Sequence, residues 1–296
     1  MTLTAPPPQP PPDEDLAALA EAHGLTASSN RQPVVSYLHE VWTRRDFAVA
    51  LGTGRKAAQY RDTMLGRLWQ VLAPILNAIV YYLIFGMLLQ TSRGVANYPA
   101  FLIIGVFTFT YTQRVVTGGT KAIANNRSII RAVHFPRAVL PLSVIVQEVQ
   151  QQFVSLGVLA VIVLLTGEPI TLAWLGVIPI VLMQTMFNVG LCMLVARWTA
   201  ASRDVTQLVP FVMHTWRYLS GVMFSIPVYT AHLAPWVEKA FYLNPMTEYL
   251  ELMRDCLLAD YRAPAALWGF GLAWAVLSLV VGFVVFYRAE ESYSRG

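Results

Sequence analysis

Charge is what this chain has least of: Asp, Glu, Lys and Arg make up 13% of its 296 residues, about half the share usual in a soluble domain. So little charge cannot cover a globule of this length in water. With a mean hydropathy of +0.51, the composition excludes a wholly soluble protein and fits one whose main solvent is lipid. Cysteine is scarce too. Cys192 and Cys256 are expected in different compartments, so both read as free thiols, with neither a disulfide nor a metal pair implied. Lysine occurs only as Lys56, Lys121 and Lys239. None follows a glycine, which excludes a phosphate loop of the form G-x-x-x-x-G-K-[ST]. The run Gly52-Thr53-Gly54-Arg55-Lys56 has neither that order nor a preceding strand. A nucleophile elbow, an H-E-x-x-H helix and zinc spacing are equally missing. The chain is therefore read as carrying no cofactor of its own and no enzymatic site. A signal peptide is not expected either. Pro6-Pro7-Pro8 and Pro10-Pro11-Pro12 stand where its apolar stretch would be, followed by Asp13-Glu14-Asp15, and residues 1–33 read as a disordered, Pro-rich cytoplasmic tail.

Long apolar runs are what the chain does have. A hydrocarbon core of about 30 Å takes roughly 20 residues of helix, and six segments meet that length: 68–89, 98–117, 138–165, 172–196, 208–229 and 265–287. The expected fold is all-α and integral to the membrane, with residues 68–296 forming six transmembrane helices. Basic residues then orient it. With the N-terminus inside, Arg44, Arg45, Arg55, Lys56, Arg61 and Arg67 precede the first span on the cytoplasmic side. Lys121, Arg127, Arg131, Arg137, Arg197, Arg203, Arg288 and Arg295 share that side, and only Arg93, Lys239, Arg254 and Arg262 lie outside. Both termini are expected in the cytoplasm. The pI near 9.1 is explained by this topology, and nucleic acid is not expected as a partner.

Residues 34–67 are expected as a cytoplasmic interfacial segment: Trp42–Arg67 alternates basic residues with Phe47, Val49, Leu51, Tyr60, Met64 and Leu65, the pattern of an amphipathic helix lying in the interface. Gly52-Thr53-Gly54 is expected to break it in two. Between the fifth and sixth spans, residues 229–263 are too few for a domain and too apolar for an ordinary loop. Asn244-Pro245 is a strong helix start, an Asn cap with Pro at the first helical position. Two short helices, 235–242 and 245–258, are expected to re-enter the outer leaflet, where such backbone is tolerated only if protein or a water-filled cavity covers it.

Several residue groups are candidates for function. Glu238, Glu248, Glu251, Asp255 and Asp260 could mark an outward-facing glycosyltransferase, but their spacing fits the polar side of a helix better. Glu148 lies in the third span within a patch of glutamines, and Arg114, His214 and Arg217 lie in or beside other spans. Ionisable groups there should face protein or water and be paired; Glu148 with an Arg is the expected pair. Among abundant aromatics, Tyr81, Phe85, Trp216 and Tyr218 are candidates to stack on sugar rings along a conduit. Between spans two and three, residues 125–135 carry Asn125, Asn126, Arg127, Ile130, Arg131 and Phe135, a short basic segment able to lie in another protein's groove.

At these residues the sequence resembles the permease subunits of ABC-2 type exporters, in their polysaccharide branch, over roughly residues 40–290. The carriers are Tyr60, Thr63, Leu65-Gly66, Leu68-Trp69 and Pro74; Ile130-Arg131, Phe135-Pro136-Arg137 and Leu140-Pro141-Leu142; then Arg203-Asp204-Val205, Trp216, Ser220, Asn244-Pro245 and Arg254. Gln59, Gly221 and Phe224 depart from the family's usual residues. The resemblance implies a homodimer of this chain in the cytoplasmic membrane above two copies of a separate ABC ATPase, which would bind ATP and Mg. Residues 125–135 would seat in the ATPase. The cargo would be a polyprenyl-diphosphate-linked glycan, its diphosphate met by Arg61 and Arg67, since Arg binds phosphate in a bidentate fork. Arg-rich composition and the Pro-rich tail resemble actinobacterial members, implying a cell-wall galactan. A drug or small-lipid exporter of the same fold, and a polytopic glycosyltransferase, are the alternative readings.

Overall fold

The computed structural model describes residues 33–59, 65–88, 95–133 and 135–290, with the backbone alone at Gln59, Arg67, Arg127, Arg131, Ala132 and Pro235. The expected tail falls outside these residues except for Pro33. The chain divides into two units, residues 1–39 and 40–296; the first is described only for residues 33–39, which open helix α1 (Val34–Thr43).

All described elements are helical or turns. In chain order after α1 come α2 (Arg45–Gln59), α3 (Trp69–Tyr81), α4 (Tyr98–Lys121), α5 (Arg127–Ala132), α6 (Val139–Leu165) and α7 (Val177–Ala201). They are followed by α8 (Asp204–Leu219), α9 (Ile226–Thr230), α10 (Pro235–Tyr242), α11 (Pro245–Leu257) and α12 (Ala266–Arg288). A π-helical stretch, Tyr82–Leu88, prolongs α3. Among the described residues, five helical stretches are long and apolar enough to cross a membrane: Trp69–Leu88, Tyr98–Lys121, Val139–Leu165, Leu172–Ala201 and Ala266–Arg288.

α4 is the centre. Of its most apolar stretch 78% is buried, against 6% for Trp69–Leu88, and it packs on α3, α6, α7, α8 and α11. That explains a composition with Gly105, Thr108, Thr112 and Gly118 that would be poor on a lipid-facing helix. Gly105 leaves room for the Arg254 guanidinium and the Val222 carbonyl, which a Cβ would meet at 2.8 Å. α4 begins at Asn97, whose side chain accepts from the Ala100 amide at 3.3 Å and donates to Glu168 Oε1 at 2.8 Å.

α7 and α12 form the most intimate pair. Gly271, Ala275, Ser278 and Gly282 lie buried along α12 at alternating spacings of four and three, a seam of small residues of the kind that brings membrane helices close. Ser278 Oγ donates to the Phe187 carbonyl at 2.9 Å. At the crossing, a Cβ on Gly282 would overlap the backbone of Gly190.

Two expectations are corrected. Residues 208–229 do not form one span. α8 has 16 residues, about 24 Å of helix, and stops at a turn in which Gly221 takes a φ of +67°. Asn244 Nδ2 donates to the Leu219 carbonyl and the Ser220 hydroxyl, at 3.2 and 3.0 Å, which secures the stop. Hydropathy sums side chains and does not register such a turn. The second correction concerns Gly52-Thr53-Gly54, which does not break the interfacial segment. α2 runs through it to Gln59, and the break falls at Arg44. Thr53 Oγ1 donates back to the Val49 carbonyl at 2.7 Å. Gly52 is a packing residue, since a Cβ there would meet the Ser143 carbonyl of α6 at 2.6 Å. The expected start at Asn244-Pro245 is present, with Asn244 Oδ1 accepting from the Met246 amide at 3.1 Å.

The helix crossing gives a direct test. Gly282→Val should lower the thermal midpoint of the detergent-solubilised protein by overpacking, at about 1–3 kcal/mol. Gly269→Ala on the same helix, where an added Cβ meets nothing within 4 Å, should leave it unchanged.

Candidate functional site

The helices of the second unit enclose a cavity of about 680 Å³ between α3, α4 and α6, with Arg217 of α8 on its wall. From α3 it takes Trp69, Ala73, Pro74, Asn77 and Tyr81; Trp69, Ala73, Asn77 and Tyr81 recur at steps of four and so share one face, with Pro74 beside them. From α4 come Val106, Phe107, Thr110, Gln113, Arg114, Thr117, Gly118 and Lys121, and from α6 Gln147, Glu148, Gln151 and Ser155. Polar side chains this dense would be expelled from lipid. They are retained because the cavity gives them one another and room for solvent or a polar guest.

The wall is braced by an ion pair. Arg114 Nε donates to Glu148 Oε2 at 3.0 Å and Arg114 Nη2 to Gln152 Oε1 at 3.3 Å, tying α4 to α6. Gln151 Nε2 donates to the Gln70 carbonyl at 2.9 Å and ties α6 to α3. Arg217 donates to Tyr81 Oη and to Gln113 Oε1, with its guanidinium against the Tyr81 and Phe109 rings at 5.5 and 5.4 Å from their centres. Asn77 and Gln113 are lining residues that sequence reasoning missed. Asn77 is a lone amide in an apolar run and Gln113 stands next to Arg114, and that was the available signal.

A second constellation lies at the Lys121 end of α4. Arg55 Nη2 donates to Asn126 Oδ1 at 2.6 Å, and Arg55 Nη1 donates to Ser143 Oγ at 3.1 Å. Asn126 Nδ2 donates in turn to the Ala122 carbonyl at 2.5 Å. Beside this network Phe47 meets Phe135 edge-on, ring centres 5.3 Å apart, in an apolar cluster with Ala48, Val139 and Leu140 against which Ile130 packs. Thus α2, the 124–126 turn, α5 and the start of α6 form one fastened unit. Burial draws the Lys56 ammonium below its usual range; Glu148 opposes that shift and Arg114 adds to it.

The predicted residues fare unequally. Tyr81 lines the cavity and stacks on Phe85, ring centres 6.1 Å apart. Trp216 turns elsewhere: its Nε1 donates to Asn244 Oδ1 at 2.8 Å, and its ring abuts Phe109. Tyr218 is exposed beside His214 and does not line the cavity. Asn125 is exposed, whereas Asn126 and Phe135 are buried. Arg61, with Tyr60 and Thr63, lies outside the described residues, and no side chain is described for Arg67, Arg127 or Arg131. Among the described residues, no group of three or more His, Cys, Asp or Glu is placed to hold a metal ion.

Comparison with known proteins places this geometry in context. The family model described as ABC-2 type transporter matches residues 49–258, a stretch that takes in the cavity lining and the Arg55, Asn126 and Ser143 network. Among curated relatives, the O-antigen export system permease protein RfbA of Myxococcus xanthus is 28% identical over 254 residues, covering 83% of this chain and 95% of the relative. A protein of the same name from Klebsiella pneumoniae is 26% identical over 253 residues, covering 83% and 94%.

The Arg114–Glu148 pair gives a test that separates bracing from mere lining. Glu148→Leu alone strands the Arg114 charge and should cost about 1–3 kcal/mol of stability, discounted for an open cavity. Arg114→Met with Glu148→Leu should recover most of it. Thermal melts of the solubilised variants read the cycle, and additive losses would remove the bracing role.

Proposed function

This chain belongs to the ABC-2 type transporter family, and from that premise we propose that it is the permease of an exporter that moves a polyprenyl-diphosphate-linked polysaccharide across the cytoplasmic membrane. It is a multi-pass transport subunit without an ATPase domain, so an ABC ATPase must supply the energy. The observation that carries the reading is the match along nearly the whole length of permeases named for O-antigen export. The cavity supports it, because polar side chains such as Asn77, Gln113, Glu148 and Gln151 line it within helices that are otherwise apolar. Two copies of the chain would pair, with two ATPases below them and both termini in the cytoplasm. The broken segment from α8 to α11 would complete the sixth crossing, α10 and α11 dipping into the outer leaflet.

Arg55 gives the coupling a physical form. Residues 125–135 would rest on the ATPase, and motion there would reach α2 and α6 together through Asn126, Arg55 and Ser143. Arg61 and Arg67 precede the first span in sequence and would meet the diphosphate at the cytoplasmic lip. A cell-wall galactan is the favoured glycan on the Arg-rich composition and Pro-rich tail.

Cargo and coupling are tested separately. Depletion of the chain should accumulate lipid-linked glycan inside the cell, and a change in drug sensitivity alone would favour a drug or small-lipid exporter instead. Arg55→Ala should still bring down the ATPase from native membranes while export falls several-fold. Failure of the wild type to co-purify with any ATPase would sink the transporter assembly. If Arg61→Lys and Arg61→Ala both export normally, Arg61 has no phosphate role.

A further inference from the structure

We infer that Arg217, together with Tyr81 and Gln113, is a phosphate-binding station inside the cavity, distinct from the arginines expected at the cytoplasmic lip. The inference deepens the reading of a diphosphate-linked cargo and rests on it.

The argument begins with charge balance. Arg217 is 9% exposed and lines the cavity. Its two known donations go to neutral acceptors, Tyr81 Oη and Gln113 Oε1, and its Nε is buried without a partner. Among the described residues no carboxylate lies within ion-pair distance of it. A buried guanidinium that serves structure alone is expected to be neutralised by a partner, and this protein does so elsewhere. Arg114 is given Glu148 at 3.0 Å, and Arg254 is given Glu251 at 2.9 Å. Arg217 is held in place by its neighbours, but its charge is left unspent.

The hydrogen-bond inventory points the same way. Tyr81 Oη and Gln113 Oε1 each accept from Arg217, which leaves the phenolic O–H and the amide NH₂ as donors, beside one further lone pair on each oxygen. The guanidinium keeps one further N–H on each terminal nitrogen. Three side chains from α3, α4 and α8 therefore present donors that outnumber the acceptor capacity left to them. That is a site for an acceptor-rich anion, and the planar guanidinium suits phosphate oxygens best. Lys121 at the far end of the same cavity adds positive charge, while Glu148 is already engaged by Arg114.

Binding to the full chain in lipid nanodiscs tests this, with a long-chain polyprenyl diphosphate and the matching uncharged polyprenol as probes. Wild type should prefer the diphosphate. Arg217→Gln should weaken diphosphate binding by at least about 10-fold, the scale of a lost charged hydrogen bond, and leave polyprenol binding within about 2-fold. Arg217→Lys, which keeps the charge and guards against a folding defect, should fall between them at an unchanged melting temperature. Inorganic pyrophosphate supplies the last arm: displacement from wild type assigns recognition to the phosphate alone, and failure to displace assigns it to the lipid-borne group. An Arg217→Gln protein that retains the full preference overturns the station while leaving glycan export standing. A wild type without preference removes both.

Discussion

Isolated charge is costly where water is excluded, and three arginines meet that cost around α4 in three different ways. Arg254 is fully buried, lies 3.4 Å from the centre of the Phe101 ring, pairs with Glu251 and donates to the carbonyls of Gly221 and Val222. Arg114 is paired with Glu148 and lines the cavity. Arg217 has only an aromatic pair, a phenol and an amide. Desolvation is repaid only where geometry and further hydrogen bonds are good, and the three sites grade from an ion pair with two carbonyl acceptors to no carboxylate partner among the described residues, although the Nε of Arg254, like that of Arg217, is buried without a hydrogen-bond partner. The first welds the turn after α8 to α4 and α11. The second braces the cavity wall. The third leaves a cation facing an open space.

The same grading separates rigid parts from yielding ones. α4, α7, α11 and α12 are held by buried side chains and close backbone crossings, so displacing any of them exposes apolar surface and breaks satisfied polar contacts. Trp69–Leu88 is the least anchored of the five long stretches within a single chain, because few of its side chains are buried there. Pro74 within α3 and the π-helical stretch beyond Tyr81 further weaken its backbone ladder. Four of its cavity-facing groups, Trp69, Pro74, Asn77 and Tyr81, therefore ride on the least anchored wall.

Much of the fold was legible in the sequence because apolar length is a direct signal. Five of the expected spans correspond to long helices, and the Asn244-Pro245 start was readable from cap chemistry. What was not legible depended on tertiary context. The stop after Leu219 needs Asn244, a residue 25 positions on. The continuity of α2 through Gly52-Thr53-Gly54 needs the Ser143 carbonyl of α6 pressing against Gly52. Local propensity alone favours a break there, and packing overrides it. For the site, Tyr81 and Glu148 with an Arg were within reach because aromatic and ionisable groups in a span stand out. Trp216 shared the same signal yet serves as a fastening for Asn244. Residue type alone cannot separate an aromatic that lines a cavity from one that closes a helix end.

The geometry also connects the two constellations. Ser143, Gln147, Gln151 and Ser155 repeat at intervals of four along α6 and so form one stripe. Ser143 receives Arg55 from the fastened unit, whereas Gln147, Gln151 and Ser155 line the cavity. Gln151 in turn holds the Gln70 carbonyl at the start of α3. A displacement of α2 that turned or shifted α6 would therefore move the cavity lining with it and pull on the least anchored wall. No separate relay is required, because the bond that takes up the motion and the side chains that would meet cargo belong to the same face of one helix.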